Sequence, residues 1–579
     1  MGDNQERLDT LRHSASHIMA EAVRELFPQT KFAIGPAIEN GFYYDFELPR
    51  ALVPEDLAIL EKKMKEITQR KLPFVSRNIS KEEARRIFLD QPYKLEIIDE
   101  LEGENITIYT QGEFTDLCRG PHVANTKEVC AFKLTSIAGA YWRGDEHNAM
   151  LQRIYGTAFE SEAELDAYLV WLEEAARRDH RRLGKELDIY SVHKEIGPGL
   201  VCWHPAGGVI RSVIEDFWRD QHRRRGYDLV YTPHIANVGL WKTSGHWDFY
   251  RENLYSPMDI DGEEYIIKPM NCVFHIKIYQ THMHSYRELP LRYAELGTVY
   301  RYERSGALHG LSRVRGFTQD DAHIFCRPDQ LEAEVAGVLE LAGFMIKTFG
   351  FDKYKMMLST RPEKAVGSPE VWERATSTLA SALEKQGLSY EVDPGEGVFY
   401  GPKIDIKFED AMGRLWQGPT IQVDFNMPDK FGVNYIGEDG EEHRAVMVHR
   451  TVLGSMERFV SCLLENYAGA FPVWLSPVQT IVLPIADRHA QYARQVSDLL
   501  KVRGVRTELN ASSETINKRI RAAQVTKVPY MLVLGDREAA AQTVSVRLRN
   551  GVQIPDLPLG EFMEKLGEKI ANRSLDIAL

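Results

Sequence analysis

Arg301 and Glu303 stand two apart in the stretch GTVYRYERSGALHGLSRVRGFTQDDAHIFC, residues 297–326. A strand-like run carries them, and side chains two apart on a strand point the same way, so a guanidinium fork and a carboxylate share one face. A loop rich in Gly and Arg follows, and a second strand resumes through Arg315 and Phe317. The stretch therefore predicts a hairpin that carries chemistry. An Arg fork suits a phosphate or carboxylate, a carboxylate accepts the exocyclic amine of a base, and an aromatic such as Phe317 stacks on the base. Together they ask for a nucleotide. The chain has no GxxxxGK(S/T) loop and no GxGxxG turn, so the nucleotide is expected on a sheet rather than on a P-loop or Rossmann helix.

Two further sets of residues have ligand chemistry. In LRHSASHIMAEAVRELF, His13 and His17 are four apart on a predicted amphipathic helix and share a face. DLCRGPH later brings Asp116, Cys118 and His122, with the cysteine and histidine again four apart. Such a set can hold zinc or position a hydrolytic water, and spacing leaves the two open. Cys272, His323 and His449 are also good zinc ligand types, and three protein ligands would leave the open position of a working zinc. Their wide separation leaves open that the three are unrelated.

The elements that must position these groups need several domains. At 579 residues the chain exceeds one core and predicts about three or four. Hydrophobic content of 44% and charged content of 27% are those of a globular protein. No apolar run reaches a membrane span and no charged-then-apolar leader opens the chain, so the expectation is a cytoplasmic protein with no membrane contact. Six dispersed cysteines fit a reducing compartment. A net charge of −13 excludes indiscriminate nucleic-acid binding and confines RNA contact to local basic patches such as RRDHRRLGK near residue 180 and KRIR at 518–521, which read equally as solvated faces. The Gly/Pro stretch IGPGLVCWHPAGG marks a boundary, followed by a helix through VIRSVIEDFWRDQHRRRG ending at Gly226 and a strand YDLVYTPHI. From residue 476, strand-like and helical segments alternate, from IVLPIA to a last helix, as a small α/β domain.

RYERSG followed by RGF resembles motif 2 of class II aminoacyl-tRNA synthetases, and QDDAHIF with VMVHRTVLGSMERF resembles the threonyl-tRNA synthetase family in particular, over nearly the whole chain. The resemblance implies an α+β multidomain fold. An editing domain would span 1–178, a class II antiparallel-sheet catalytic domain 179–475, and an anticodon-binding α/β domain 476–579. It implies ligation of threonine to tRNA(Thr) through threonyl-adenylate, with ATP and Mg²⁺, one zinc per chain at Cys272, His323 and His449, and a homodimer through motif 1. By the same resemblance Arg301 holds the substrate carboxylate and α-phosphate, Glu303 the adenine amine, Phe317 the adenine face and Arg313 the γ-phosphate side. Gln319 and Asp321 fix the amino end of the amino acid, Tyr400 and Gln422 line the pocket, Lys403 lies near the phosphates, Arg458 neutralises triphosphate, and His246 lies near the terminal ribose. His13, His17, Asp116, Cys118 and His122 match the editing site that hydrolyses mischarged seryl-tRNA, and Glu538 and Arg547 match positions that read anticodon bases.

The editing site answers a limit on binding. Zinc that takes threonine's hydroxyl rejects valine, but serine keeps the hydroxyl and lacks only a methyl, which a pocket discriminates by about 1–3 kcal/mol. Departures from the family pattern are NCVFH, where Val273 and Phe274 replace Pro-Gly; LNASSE, where Asn510 and Ser512 replace an acid and an arginine; and the helix bearing His13 and His17, which begins where a small ubiquitin-like domain usually precedes it. The rival readings are an RNA-binding regulatory paralogue that charges nothing and a zinc hydrolase acting only on aminoacyl-tRNA.

Overall fold

The computed structural model describes residues 2–579, with side chains from residue 5, and divides them into two units, Met1–Glu174 and Ala175–Leu579. In the first, Leu11, Ala15, Ile18, Met19 and Ala22 recur at helical spacing along the helix Gly2–Leu26 and are buried. They pack with Phe42, Tyr44 and Phe46, which alternate along the strand Gly41–Glu47 of a five-stranded sheet. A separate three-stranded sheet, Val75–Ser80, Asn105–Gln111 and Phe114–Leu117, sets Asp116 opposite Tyr109.

The second unit is built on an eight-stranded sheet. Six central strands, Leu291–Tyr300, Gly316–Cys326, Val446–Ser455, Leu415–Asp424, Lys403–Glu409 and Tyr354–Ser359, are mutually antiparallel, and Asp228–Leu229 and Glu391–Asp393 pair in parallel at the edges. Register turns this sheet into a row of chemistry: Lys403 pairs with Gln422, Gln422 with His449, and His449 with His323. Two residues along, Asp405, Thr420, Thr451, Asp321 and Glu295 form a second row, which the two-residue period puts on the same face. The intervening row, Ile404, Ile421, Arg450, Ala322 and Ala294, belongs to the other face, where the four apolar members join a core formed with the helices Pro205–Arg224 and Leu331–Thr348. Arg450 lays its guanidinium over the Tyr227 ring, 4.4 Å from the centroid.

Between the strands Gly316–Cys326 and Val446–Ser455 the register shifts where Gln319–Asp321 faces Thr451–Ser455. The buried carboxylate of Asp320 fills the gap, accepting backbone N–H groups from Val452 (2.9 Å), Leu453 (2.9 Å) and Gly454 (2.7 Å) and the indole N–H of Trp218 (3.1 Å). Gly454 has φ +84°, open to glycine at no steric cost. Ser455 then caps the helix Met456–Asn466 by accepting the Arg458 N–H, which starts the helix that carries Arg458.

Two boundaries differ from the sequence expectation. The hairpin ladder ends at Tyr300 and Gly316, so Arg301 and Glu303 lie in the connecting segment rather than on the strand. The run YDLVYTPHI is split into Asp228–Leu229 and Ile235–Asn237, because Pro233 has no N–H and the Thr232 N–H goes to Glu295 Oε1 (2.8 Å) instead of a ladder partner. The expected basic patches are largely spent internally: Arg181 pairs with Asp179, Arg182 with Glu186, Lys518 with Glu514, and buried Arg519 donates to two backbone carbonyls. The C-terminal sheet has the order Thr507–Leu509, Thr480–Pro484, Tyr530–Leu534, Thr543–Leu548, Gln553–Pro558, parallel in its first three strands and antiparallel beyond. Among the described residues no helix is long and apolar enough to cross a membrane.

Asp320→Asn keeps the shape but replaces one acceptor oxygen with an amide donor facing other donors. We expect a loss of about 3 kcal/mol in stability, read by chemical denaturation of the full chain, with a parallel loss of any activity that needs Arg458.

Two candidate active sites

The sheet rows open into a cavity of about 370 Å³. Arg301, Phe317 and Arg458 line it together with Cys272, His323 and His449. Arg301 lies 5.2 Å from the Phe317 centroid and donates through Nε to the Pro269 carbonyl (3.3 Å). Glu303 pairs with Arg313 (3.1 Å), and Arg458 Nε donates to the Ser312 carbonyl (3.1 Å), so both ends of the loop are held. Burial holds the Arg458 guanidinium below its usual range, with the neighbouring Arg301 and Arg313 adding to the shift. Tyr400 donates to Gln422 Oε1 (2.6 Å), Lys403 pairs with Asp405 (2.8 Å), Asp321 accepts from Asn271 (3.1 Å), and Gln319 Oε1 is buried without a partner. His246 is buried, its Nδ1 2.7 Å from Ser244 Oγ, and burial together with the charges of His449 and Arg301 brings its pKa down to about 3.

The three ligand-type residues fit a metal in their chemistry. His449 Nε2 is 3.0 Å from Asp424, and His323 Nδ1 is 2.8 Å from His275 Nδ1, whose other nitrogen is 3.2 Å from Glu295. Each ring thus has one nitrogen engaged by a neighbour and one remaining for a ligand, the outer support metal-binding histidines use. Cys272 opens the helix Cys272–Tyr279, and burial, reinforced by Asp321 and Asp424, raises its thiol, so a bound cation would have to draw off the proton. Phe274 packs beside Trp241 (6.1 Å between centroids) in the apolar cluster that also holds Cys272, and it does not line the cavity, so it fills core.

In the first unit the predicted set converges. His13, His17, Cys118 and His122 bring one ligand atom each to within 4.8 Å of one another. Cys118 Sγ lies 3.3 Å from His13 Nε2 and 3.2 Å from His122 Nε2, while His122 Nδ1 meets Ser14 Oγ at 3.0 Å. Burial, with the nearby imidazoles adding to it for His17 and His122, lowers all three histidines, and burial pushes the Cys118 thiol up to about 11. At neutral pH the cluster is three uncharged imidazoles and a protonated thiol. That composition accepts hydrogen bonds from a water and does not supply a thiolate nucleophile.

Asp116 is anchored by residues the sequence did not single out. Its carboxylate pairs with buried Lys94 and accepts the Tyr44 hydroxyl (2.6 Å), and Lys94 Nζ also lies 3.0 Å from the Tyr44 oxygen. His17 Nε2 is 3.8 Å from the same carboxylate. Lys94 lies in the helix Pro92–Glu100 with no spacing relation to DLCRGPH, whereas His275, also missed, stands three residues after Cys272 on one helix, a spacing that could have pointed to it. In the C-terminal domain Glu538 caps its helix, accepting from Gly535 N–H (2.8 Å) and Ser545 (2.7 Å), and Arg547 lies on the strand Thr543–Leu548 with Nε buried and without a partner.

Comparison with known proteins agrees along the chain. Residues 255–467 match the class II tRNA synthetase core domain (G, H, P, S and T), 479–569 an anticodon binding domain, and 106–155 the threonyl and alanyl tRNA synthetase second additional domain. A threonine–tRNA ligase of Dehalococcoides mccartyi is 63% identical over 98% of this chain and 98% of its own length. One from Nitrosococcus oceani is 54% identical over 99% of this chain and 89% of its own. A crystal structure described as the RNA binding domain of threonyl-tRNA synthetase from Cryptosporidium parvum superposes with a TM-score of 0.66 at 40% identity, covering 69% of this chain and 99% of that one.

Lys94→Met strands the Asp116 carboxylate in a buried site. We expect it to destabilise the first unit by about 3 kcal/mol, and Lys94→Met combined with Asp116→Asn to recover most of that loss, as read by calorimetry of the full chain.

Proposed function

The chain belongs to the threonine–tRNA ligase family of class II aminoacyl-tRNA synthetases, and from that premise we propose that it activates threonine with ATP, transfers it to tRNA(Thr), and hydrolyses mischarged seryl-tRNA at its N-terminal site. The observation that carries the reading is the single cavity in which Arg301, Phe317 and Arg458 face Cys272, His323 and His449. Groups suited to a nucleotide and groups suited to a metal thus line the same space, which supports the reading.

In the activation step the threonine carboxylate attacks the α-phosphate in line, the α–β phosphoanhydride breaks, pyrophosphate leaves with Mg²⁺, and no covalent enzyme intermediate is needed. Arg301 binds the carboxylate and α-phosphate, Phe317 the adenine face, Glu303 the adenine amine, and Arg313 with Arg458 the outer phosphates. Lys403 adds positive charge beside Mg²⁺, which accompanies ATP. These fixed cations oppose the charge that develops on the phosphoryl oxygens. Gln319 and Asp321 orient the amino group, with the unpaired Gln319 oxygen as the ready acceptor. Tyr400 and Gln422, already bonded to each other, shape the wall. Neutral His246 accepts a hydrogen bond near the terminal ribose and helps the 2′-hydroxyl move its proton, while a terminal hydroxyl of the tRNA attacks the adenylate carbonyl and AMP leaves. Cys272, His323 and His449 would hold zinc, which when bound would supply a Lewis-acid site for an amine with a neighbouring hydroxyl.

At the second site the neutral imidazoles of His13, His17 and His122 surround a water directed at the ester of seryl-tRNA, two of them accepting its hydrogens, and Asp116 orients His17. We assign residues 1–178 to editing, 179–475 to catalysis and 476–579 to anticodon binding, where Glu538 and Arg547 read bases. We also assign a homodimer through motif 1, formed by the helix Pro205–Arg224 and the segment after it, and a cytoplasmic location, where bacterial tRNA is charged. The regulatory-paralogue reading loses to the near full-length likeness to named ligases.

Cys272→Ser is expected to abolish threonine-dependent exchange of pyrophosphate into ATP and to lower bound zinc from about one per chain to near none, while hydrolysis of supplied seryl-tRNA persists. Zinc retained at about one per chain would assign the ion to the Cys118 cluster instead. His13→Ala should leave exchange intact and let seryl-tRNA accumulate when serine is supplied.

A further inference from the structure

His180 opens the seven-residue helix His180–Glu186, and its side chain is wholly buried, with 0% exposure. Its Nδ1 lies 2.5 Å from Glu465 Oε1, near the end of the helix that carries Arg458. Its Nε2 accepts the backbone N–H of Leu311 at 3.1 Å, two residues before Arg313. With Nε2 accepting, the ring proton is on Nδ1 and is donated to Glu465. Asp179, His180 and Glu465 lie close enough together to suggest a cation, but both ring nitrogens are already engaged.

Both ends of this bridge are braced. Glu465 also accepts the His180 backbone N–H (3.2 Å), and its second oxygen meets Arg414, whose guanidinium forks onto Asp410 (2.9 and 2.7 Å). On the loop side the Leu311 side chain is fully buried in the main core, and the Ser312 carbonyl accepts from Arg458. Gly310 allows the approach: it has φ +49°, and a Cβ there would fall 2.1 Å from His180 Nε2. One imidazole therefore bridges the helix bearing Arg458 and the loop bearing Arg313, beside the direct bond from Arg458 to the Ser312 carbonyl.

We propose that His180 is a positioning residue for ATP binding, holding the Leu311–Arg313 loop so that Arg313 and Arg458 meet the triphosphate as a pair. The proposal rests on the assignment of Arg313 and Arg458 to the phosphates. Two substitutions separate the halves of the bridge. In His180→Asn the amide takes the place of Nδ1, keeps Glu465 and leaves the Leu311 N–H unpaired. In His180→Gln the longer side chain offers its oxygen to Leu311 and gives up Glu465.

The test is threonine-dependent pyrophosphate exchange on the full chain with ATP varied, beside thermal melting and an Arg313→Ala control. His180→Asn should raise the KM for ATP about tenfold with the KM for threonine within about twofold, while His180→Gln stays within about threefold of the parent and melts no higher than His180→Asn. Equal KM values for ATP in the two variants, or KM values that follow the melting temperatures, would overturn the proposal. An unchanged KM in Arg313→Ala would remove the phosphate assignment and the proposal with it. A raised KM there with none in His180→Asn would remove the proposal alone.

Discussion

Everything on the catalytic face depends on strand register. Lys403, Gln422, His449 and His323 come from four strands and meet as one row because the ladder pairs them. A one-residue slip of the strand Val446–Ser455 would present Val448 or Arg450 in place of His449 and send the histidine into the core. Asp320 opposes that slip. Its buried carboxylate is satisfied only when Val452, Leu453 and Gly454 turn their N–H groups toward it, which occurs only with the bulge in place. The same bulge delivers Ser455 to its capping position, so the interaction that locks the row also sets where Arg458 begins its helix.

The two sites use burial differently. In the first unit three rings and a thiol turn toward each other, and burial keeps the imidazoles uncharged, with the cost of a second nearby cation adding to it at His17 and His122. In the cavity of the second unit His449 is aimed from behind by Asp424 and His323 by His275 and Glu295. The first arrangement suits a small molecule held by several acceptors at once. The second suits a directional ligand, because an imidazole with one nitrogen fixed has one orientation for the other.

What could be read from the sequence follows from the range of each interaction. Four-residue spacing displayed His13 with His17 and Cys118 with His122, and the two-residue alternation used for Arg301 and Glu303, had it been carried on, would have put Gln319, Asp321 and His323 on one face. That alternation would also have left Asp320 on the core side beside Ala322 and Ile324, where a charge needs a reason; the reason, three amides on another strand, is not local. Lys94 carried no local mark, because its partner Asp116 arrives through a different sheet. The strand through Thr232 failed in prediction for a similar cause, since a distant Glu295 side chain takes the N–H that propensity assigns to a ladder.

Two active sites on one chain follow from the size of the difference to be resolved. A missing hydroxyl leaves a ligand position unfilled and a buried polar group unpaired, which a single cavity can reject strongly; a missing methyl leaves a void, and the discrimination is about 1–3 kcal/mol. Tightening the cavity around threonine does not change this, since serine fits wherever threonine does. The remaining selectivity has to come from a site that admits the smaller product and excludes the larger. Such a site must work on the finished ester and spare the threonyl-adenylate, so it must lie outside the cavity where the adenylate forms. On the proposed assignment, the neutral cluster around His13 and Cys118, built on its own sheet and helix in a separate unit, meets that requirement.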